Sequence, residues 1–477
     1  MSQENEFTYF ASNESRAERE YEESLNLDIR TNYQVDRDRI LYSKAFRRLR
    51  GKTQVFIAGY DDHVRNRLSH TLEVAQIART IAKALGLNEL LTESIALGHD
   101  LGHTPFGHVG ERVLHDISCG KKVLEEKKIC HEEKNSGFKH NWQSVRVACD
   151  LEYHNPNYPG LNLTKETLWG FLHHSKLMYS GGAKVKYYEE KYSSKIKSEI
   201  YWSFEGIVVS LADEIAQRHH DIEDGLITGI LEKKSLIQHL KDEYNDLPDT
   251  YKSAFFEMLE TAYEEKYPEF YFEMLAKAIV NLYVTIVVDR TKNILEDINN
   301  RYSLEKNNDK FYEKKEEIWK NEIKDENEFI KKMMTDQLFK ADKKIQDSYF
   351  RKRILLSYQA QKTDGKAAYV IKKIVEAYLT NPQQMPDNAV IMLFVDYFSK
   401  SSGITEAVKK VFNKDRDRSD NIGEWRSELE NKKNESECSF KASLVRTIVD
   451  YVSGMTDDYA MALYEQLYGG TKQNRYQ

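Results

Sequence analysis

Apolar residues recur along most of this chain at steps of three and four, the period of an α-helix with one buried face. The clearest run is 68–85, where Val74, Ile77, Ile81 and Leu85 share a face and Gly86 supplies a stop. His70 falls in its first turn. In 37–50, Ile40, Leu41, Phe46 and Leu49 keep helical spacing among basic residues. A helix over 90–97 delivers His99 and Asp100 at its C-terminal end, and Pro105 blocks simple continuation. Further helices are predicted to start at His140, to run over 163–175, and to run over 202–222. In the last of these, Phe204, Val208, Leu211 and Ile215 form the core face. Asp213, Gln217 and Asp221 stand four apart on it and form a separate polar stripe.

Between the helices, 53–56 reads as a short extended segment and 59–63 as a polar loop. Residues 117–137 form a lysine- and glutamate-rich insertion, 154–162 a Pro/Asn/Gly loop, and 180–197 a flexible Gly/Ser/Lys-rich loop. Beyond about 235 the pattern is helical with charged outer faces, and 305–325 reads as solvated helix. No strand set and no fixed-period repeat appears. The expectation is an all-α protein: an acidic arm over 1–30, helical or mobile; a core over 31–235; and a helical C-terminal region, 236–477, packed on that core.

Composition changes this little. Only 7 of 477 residues are Pro, and no Pro-rich or Ser/Gly-rich linker is present, so one large helical body fits better than beads on a string. A hydrophobic share of 40% can fill a sizeable core, and 31% charged residues with mean hydropathy −0.68 fit long amphipathic helices. Net charge is −7, from 70 basic and 77 acidic residues, which argues against a dedicated nucleic-acid coat. Cys119, Cys130, Cys149 and Cys438 form no CxxC pair, so neither a zinc ribbon nor a disulfide framework is indicated. The N-terminal residues lack signal-peptide character, and no apolar run is read as membrane-spanning, so a soluble cytoplasmic protein with no membrane partner is expected.

Chemistry concentrates in 99–111, HDLGHTPFGHVGE, where three histidines, an aspartate and a glutamate lie within thirteen residues broken by Gly and Pro. Catalytic divalent cations take mixed nitrogen and oxygen ligands from separate elements and keep positions open for water and substrate. His70, His99, Asp100 and Asp213 meet that demand from three predicted helices. Singly each has a plainer reading: a helix cap for His70, an uninformative dipeptide for His99-Asp100, a buried ion pair for Asp213. Together they favour a metal site.

That arrangement, H…HD…D, resembles the HD superfamily of metal-dependent phosphohydrolases. The longer string HDLGHTPFGHVGE, preceded by RDRILYSKAFRRLRGKTQVF and RNRLSHTLEVAQIART, resembles the deoxynucleoside triphosphate triphosphohydrolases of the bacterial dGTPase family. The eukaryotic SAM-and-HD-domain dNTPase is a more distant relative. The match covers roughly 30–230, with an echo in SGMTDDYA at 453–460.

The resemblance implies an HD-domain helical core with a largely helical C-terminal extension. It implies hydrolysis of a dNTP, with dGTP favoured on family grounds, to deoxynucleoside and inorganic triphosphate with a divalent metal (Mg²⁺ or Mn²⁺, Fe as a further choice). His70, His99, Asp100 and Asp213 match the metal ligands. His108 and Glu111 fit the acid/base pair, the glutamate holding the imidazole tautomer. His103 and His140 match contacts near the α-phosphate, and Arg67 a phosphate-binding arginine. Gln54 matches a reader of the 3′-hydroxyl, Val55 crowds the 2′ face, and Asp221 matches a second 3′-hydroxyl partner. The family also implies a symmetric oligomer, often a hexamer, with nucleotide or single-stranded DNA effectors.

Two positions depart from the pattern. Gln217 stands where relatives carry a tyrosine that walls the nucleotide site. Glu214 stands where the eukaryotic relative has a lysine, so phosphate charge must be met elsewhere, with Lys184, Lys186 or the C-terminal half as candidates. His173-His174 and His219-His220 are read as supporting or structural. Two rivals remain: another HD phosphohydrolase, such as a nucleoside monophosphatase or a signalling-nucleotide phosphodiesterase, and a nucleic-acid-binding regulator with a vestigial HD site.

Overall fold

A computed structural model describes residues 7–23, 29–53, 65–120, 137–153, 155, 158–175, 185–412, 418–432 and 438–469. Gln54, Val55 and Lys184, with most of the 117–137 insertion, lie outside them. Regular structure among the described residues is helical, apart from three isolated β-bridges.

The first helix, α1 (Asn32–Tyr42), opens with a capping box between Thr31 and Gln34. Ser43 breaks it: its backbone is extended, and its hydroxyl caps the next short helix, Lys44–Arg48, by accepting from Phe46 N. The single helical run expected over 37–50 is therefore two. Next come α2 (Arg67–Leu85), capped by Asn66 and ended by left-handed Gly86, and α3 (Glu89–Gly98), capped by Asn88. After a turn, α4 (Gly107–Ser118) follows, then α5 (His140–Arg146), α6 (Lys165–His173) and α7 (Phe204–Ile227).

The long helix α8 (Pro268–Tyr302) packs on α7 and α2. By length and composition α8 could cross a membrane, which corrects the expectation that no apolar run reaches that length. Its apolar stripe, including Leu275, Ile279, Leu282 and Ile286, is buried in the protein core. The chain ends in α9 (Tyr358–Thr380), α10 (Asp387–Ser402), α11 (Cys438–Ser453) and α12 (Asp457–Tyr468).

Two apolar cores result. One is built from α1 to α3, α5 to α8 and the segment up to Ile354, around Trp169, Trp202 and Phe204. The other joins Phe106, Val109, Leu114 and Ile117 to α9 through α12. The string 99–111 thus leaves one core and enters the other. Phe106 turns the corner with a φ of 59°, left-handed backbone that disfavours a bulky residue. Arg146 on α5 ties the cores together: its Nε and Nη2 fork onto Asp450 of α11 at 3.0 and 2.6 Å.

Three further expectations change. The N-terminal segment is not a free arm: Phe7, Tyr9 and Phe10 are buried, with Phe10 wedged against Phe204 and Phe311. Part of 180–197 is helical, over Lys186–Tyr192, because Tyr188 and Tyr192 anchor it in the core. The 305–325 helix buries Phe311, Ile318 and Trp319 beside its solvated face. Cys149 is a free thiol and Cys119 Sγ lies 3.4 Å from His115 Nε2, whereas Cys438 is disulfide-bonded, a cross-link that cysteine spacing did not signal.

Candidate active site

His70, in the first turn of α2, points Nε2 at Asp213 Oδ1 of α7, 3.0 Å away. His99 ends α3. Its Nδ1 bonds Ala96 O at 2.7 Å, so the hydrogen sits there and Nε2 is a bare lone pair. That lone pair faces Asp100 Oδ1 at 3.6 Å and Asp213 Oδ1 at 3.9 Å, and it is buried without a hydrogen-bond partner. A buried lone pair aimed at carboxylates is costly unless a cation lies between them. His70, His99 and Asp213 offer ligand atoms within 4.8 Å of one another, so three of the four expected donors fit a divalent ion, while Asp100 groups with His103 and His140.

Asp100 is held on both oxygens. Oδ2 pairs with Arg67, while Oδ1 faces His103 at 3.7 Å and His174 at 3.9 Å. Burial alone would raise its pKa, but His99, His103 and Arg67 hold it well below the carboxylate range. Arg67 was expected on phosphate; the structure buries it and pairs it with Asp100.

The turn at Phe106 brings back His108 and Glu111. Glu111 Oε2 bonds His140 Nδ1, and Oε1 takes Lys139 Nζ at 2.8 Å. The glutamate expected to orient His108 is thus also bound to His140, with His108 inside the same 4.8 Å group. Against the effect of burial, His140 and Lys139 hold Glu111 well below its ordinary pKa. His108 is exposed to the cavity, and the protein atoms packed around its ring lower its pKa to about 4, against the pull of Glu111. His103 stacks on His140, ring centres 4.2 Å apart.

Two staples fix this turn from the C-terminal region. Asp457, at the start of α12, accepts from Phe106 N at 2.8 Å, from Thr53 N at 3.0 Å and from the Thr53 hydroxyl. Lys52 Nζ bonds His103 O and also Ser453 O, the latter at 2.9 Å.

A cavity of about 670 Å³ opens on His108, Glu111, Gln217 and Asp221. The α7 stripe therefore carries Asp213 in the cluster and its two successors in the cavity wall. Burial pushes Asp221 up to about 7, with Asp224 and Glu214 adding to it against Arg218. Glu214 pairs with Arg218 at 2.8 Å and does not line this cavity. Lys186 pairs with Glu190 instead of reaching the site; Arg112, Lys139 and Arg351 line the cavity as its cations.

Sequence reasoning offered the C-terminal half as a source of phosphate charge without naming residues; the far wall is closed by Phe350, Arg351 and Ile354. That reasoning read His174 as supporting or structural, without giving it a contact in the site. His174 donates from Nδ1 to Phe171 O at 2.7 Å and turns Nε2 to His140, 3.2 Å away, inside the histidine cluster. Its neighbour His173 stacks on Trp169. The bond from His174 to the carbonyl three residues before it leaves no mark in the sequence.

Comparison with known proteins agrees with this geometry. Residues 67–243 match the HD domain, and 404–466, which hold Asp457, match a phosphohydrolase-associated domain. A deoxyguanosinetriphosphate triphosphohydrolase-like protein of Leptospira interrogans serovar copenhageni is 32% identical over 470 residues, 96% of this chain and 95% of that one. One of the same description from Clostridium perfringens strain 13 is 34% identical over 444 residues, 92% and 88% of the two chains. Another, from C. perfringens strain SM101, is 50% identical over 213 residues, 45% and 52%. The chain belongs to the HD-domain hydrolases of the deoxyguanosinetriphosphate triphosphohydrolase-like family.

Proposed function

We propose that this hydrolase cleaves a dNTP, with dGTP favoured, to deoxynucleoside and inorganic triphosphate in a metal-dependent reaction. The observation that carries the reading is the unpartnered His99 Nε2, facing Asp100 and Asp213 beside a cavity lined by Arg112, Lys139 and Arg351. His70, His99, Asp100 and Asp213 would hold Mg²⁺, Mn²⁺ or Fe, which would supply positive charge at the α-phosphate. The cavity's cations suit the β- and γ-phosphates.

His108, neutral at pH 7, enters as a base: it takes a proton from the attacking water and returns it to the departing 5′-oxygen. Glu111 holds His140 beside it, and His103 stacks on that ring. Asp221, with a pKa near neutrality, can donate to or accept from a 3′-hydroxyl. Thr53 lines the cavity. Gln217 takes the place of the relatives' tyrosine there.

The test is a panel of the four dNTPs and GTP with Mn²⁺ and with Mg²⁺, products identified by chromatography. Triphosphate plus deoxynucleoside supports the proposal. Orthophosphate or a monophosphate product rejects it in favour of another HD phosphohydrolase. No turnover, with salt-dependent single-strand binding, favours the regulatory protein. Self-association into a hexamer and control by nucleotide or DNA rest on family grounds, and light scattering with and without nucleotide tests them.

A further inference from the structure

His70 makes a second contact, on the side away from Asp213. Its Nδ1 stands 3.3 Å from Nδ1 of His220, whose ring is fully buried at 72° to it. His220 Nε2 in turn bonds Glu73 Oε2 at 2.6 Å. Glu73 lies one turn after His70 on α2, and His220 two turns after Asp213 on α7, so the two helices that bring His70 to Asp213 also bring this pair together.

Glu73 is well anchored. Arg65 Nε bonds its Oε1 at 2.7 Å, and His219 Nδ1 bonds Oε2 at 2.9 Å. Burial would raise its pKa, but the bonds from His219 and His220 hold it far below the ordinary range, so it is a carboxylate.

A carboxylate only accepts, so the hydrogen in the Glu73 contact belongs to His220 Nε2. In a neutral imidazole the other nitrogen, Nδ1, is then a lone pair. The contact between the two Nδ1 atoms needs one hydrogen, and it must come from His70. With its hydrogen on Nδ1, His70 keeps a lone pair on Nε2, the atom that faces Asp213. A hydrogen on Nε2 would instead make an ordinary bond to Asp213 and leave the ring unable to bind a metal.

We propose that Glu73 and His220 are positioning residues, a two-step relay that holds His70 in its metal-binding tautomer and thereby sets metal affinity. This rests on the metal-site reading above. Carboxylate partners of ligating histidines act in this way, and their loss typically weakens metal binding about 10–100-fold.

The experiment is calorimetric titration of the metal-stripped full-length chain with Mn²⁺, beside thermal melts without metal. His220→Leu should bind Mn²⁺ about 10–100-fold more weakly than wild type. His220→Gln can accept from His70 through its amide oxygen and donate to Glu73 through its nitrogen, so it should recover most of that loss. Metal-free melts of the two variants should coincide. Equal Mn²⁺ affinity in wild type and His220→Leu overturns the relay, as does equal weakening by Leu and Gln. Asp213→Ala in the same titration separates the two claims: wild-type affinity there rejects the metal site itself, whereas loss there with none in His220→Leu rejects only the relay.

Discussion

Asp457→Asn is the sharpest test of how the site is assembled. Asp457 is buried, and its carboxylate accepts three bonds: Thr53 N and Thr53 hydroxyl on one oxygen, Phe106 N on the other. Asparagine has one oxygen and one NH₂. Whichever way the amide turns, one donor on the protein then meets another donor. Leaving a buried N–H unsatisfied costs about 1–3 kcal/mol. Phe106, at a φ of 59°, loses the bond that holds it in this disfavoured conformation. The unsatisfied donor alone, about 1–3 kcal/mol, corresponds to roughly 1–3 °C in melting temperature for a chain of this length. The same turn carries His108, and a shift of about 1 Å at a reacting group costs on the order of 10²-fold in rate. Differential scanning fluorimetry and steady-state kinetics on the substrate identified by the nucleotide panel read both effects. A variant that melts and turns over like wild type would refute the stapling argument.

Gly102→Ala should destabilise by about 1–3 kcal/mol and lower activity, because an added Cβ would lie 2.2 Å from Ser144 N and 2.4 Å from His140 O, and backbone cannot step aside; wild-type melting and rate would sink that reasoning. His108→Ala should keep its metal, measured by mass spectrometry, and lose roughly 10²–10⁴-fold in turnover; loss of metal would show that His108 is a ligand. Asp221 contributes a stability term with a definite sign. Its folded pKa, about 7, lies above the unfolded value, so this term is fully present near pH 3 and is lost as pH rises through 7. Melting of the wild type should therefore fall relative to Asp221→Asn between pH 4 and 7, and parallel curves would count against the shift.

Local order was legible wherever one helix carried the whole message. Val74, Ile77, Ile81, Leu85 and Gly86 define α2 with its end, and the four-residue spacing of Asp213, Gln217 and Asp221 put them on one face before any coordinates. What stayed hidden depends on contacts between distant segments. Asp457 reaches Phe106 across 351 positions. His174 joins the cluster because α6 packs on α5, a tertiary fact with no periodic trace. Phe10 reads as part of a polar arm until Phe204 and Phe311 enclose it. Arg67 looked free for phosphate because sequence cannot show which carboxylate claims a guanidinium first.

The left-handed corner at Phe106 has a mechanical consequence. His99 and Asp100 belong to one packed solid, and the helix behind His108 and Glu111 belongs to another. The distance between the candidate metal-binding groups and the candidate proton-transfer groups is therefore the offset between two bodies, held by Arg146 on Asp450 and by Glu111 on His140. A displacement along that seam would change the spacing of the two groups while leaving both packed cores intact.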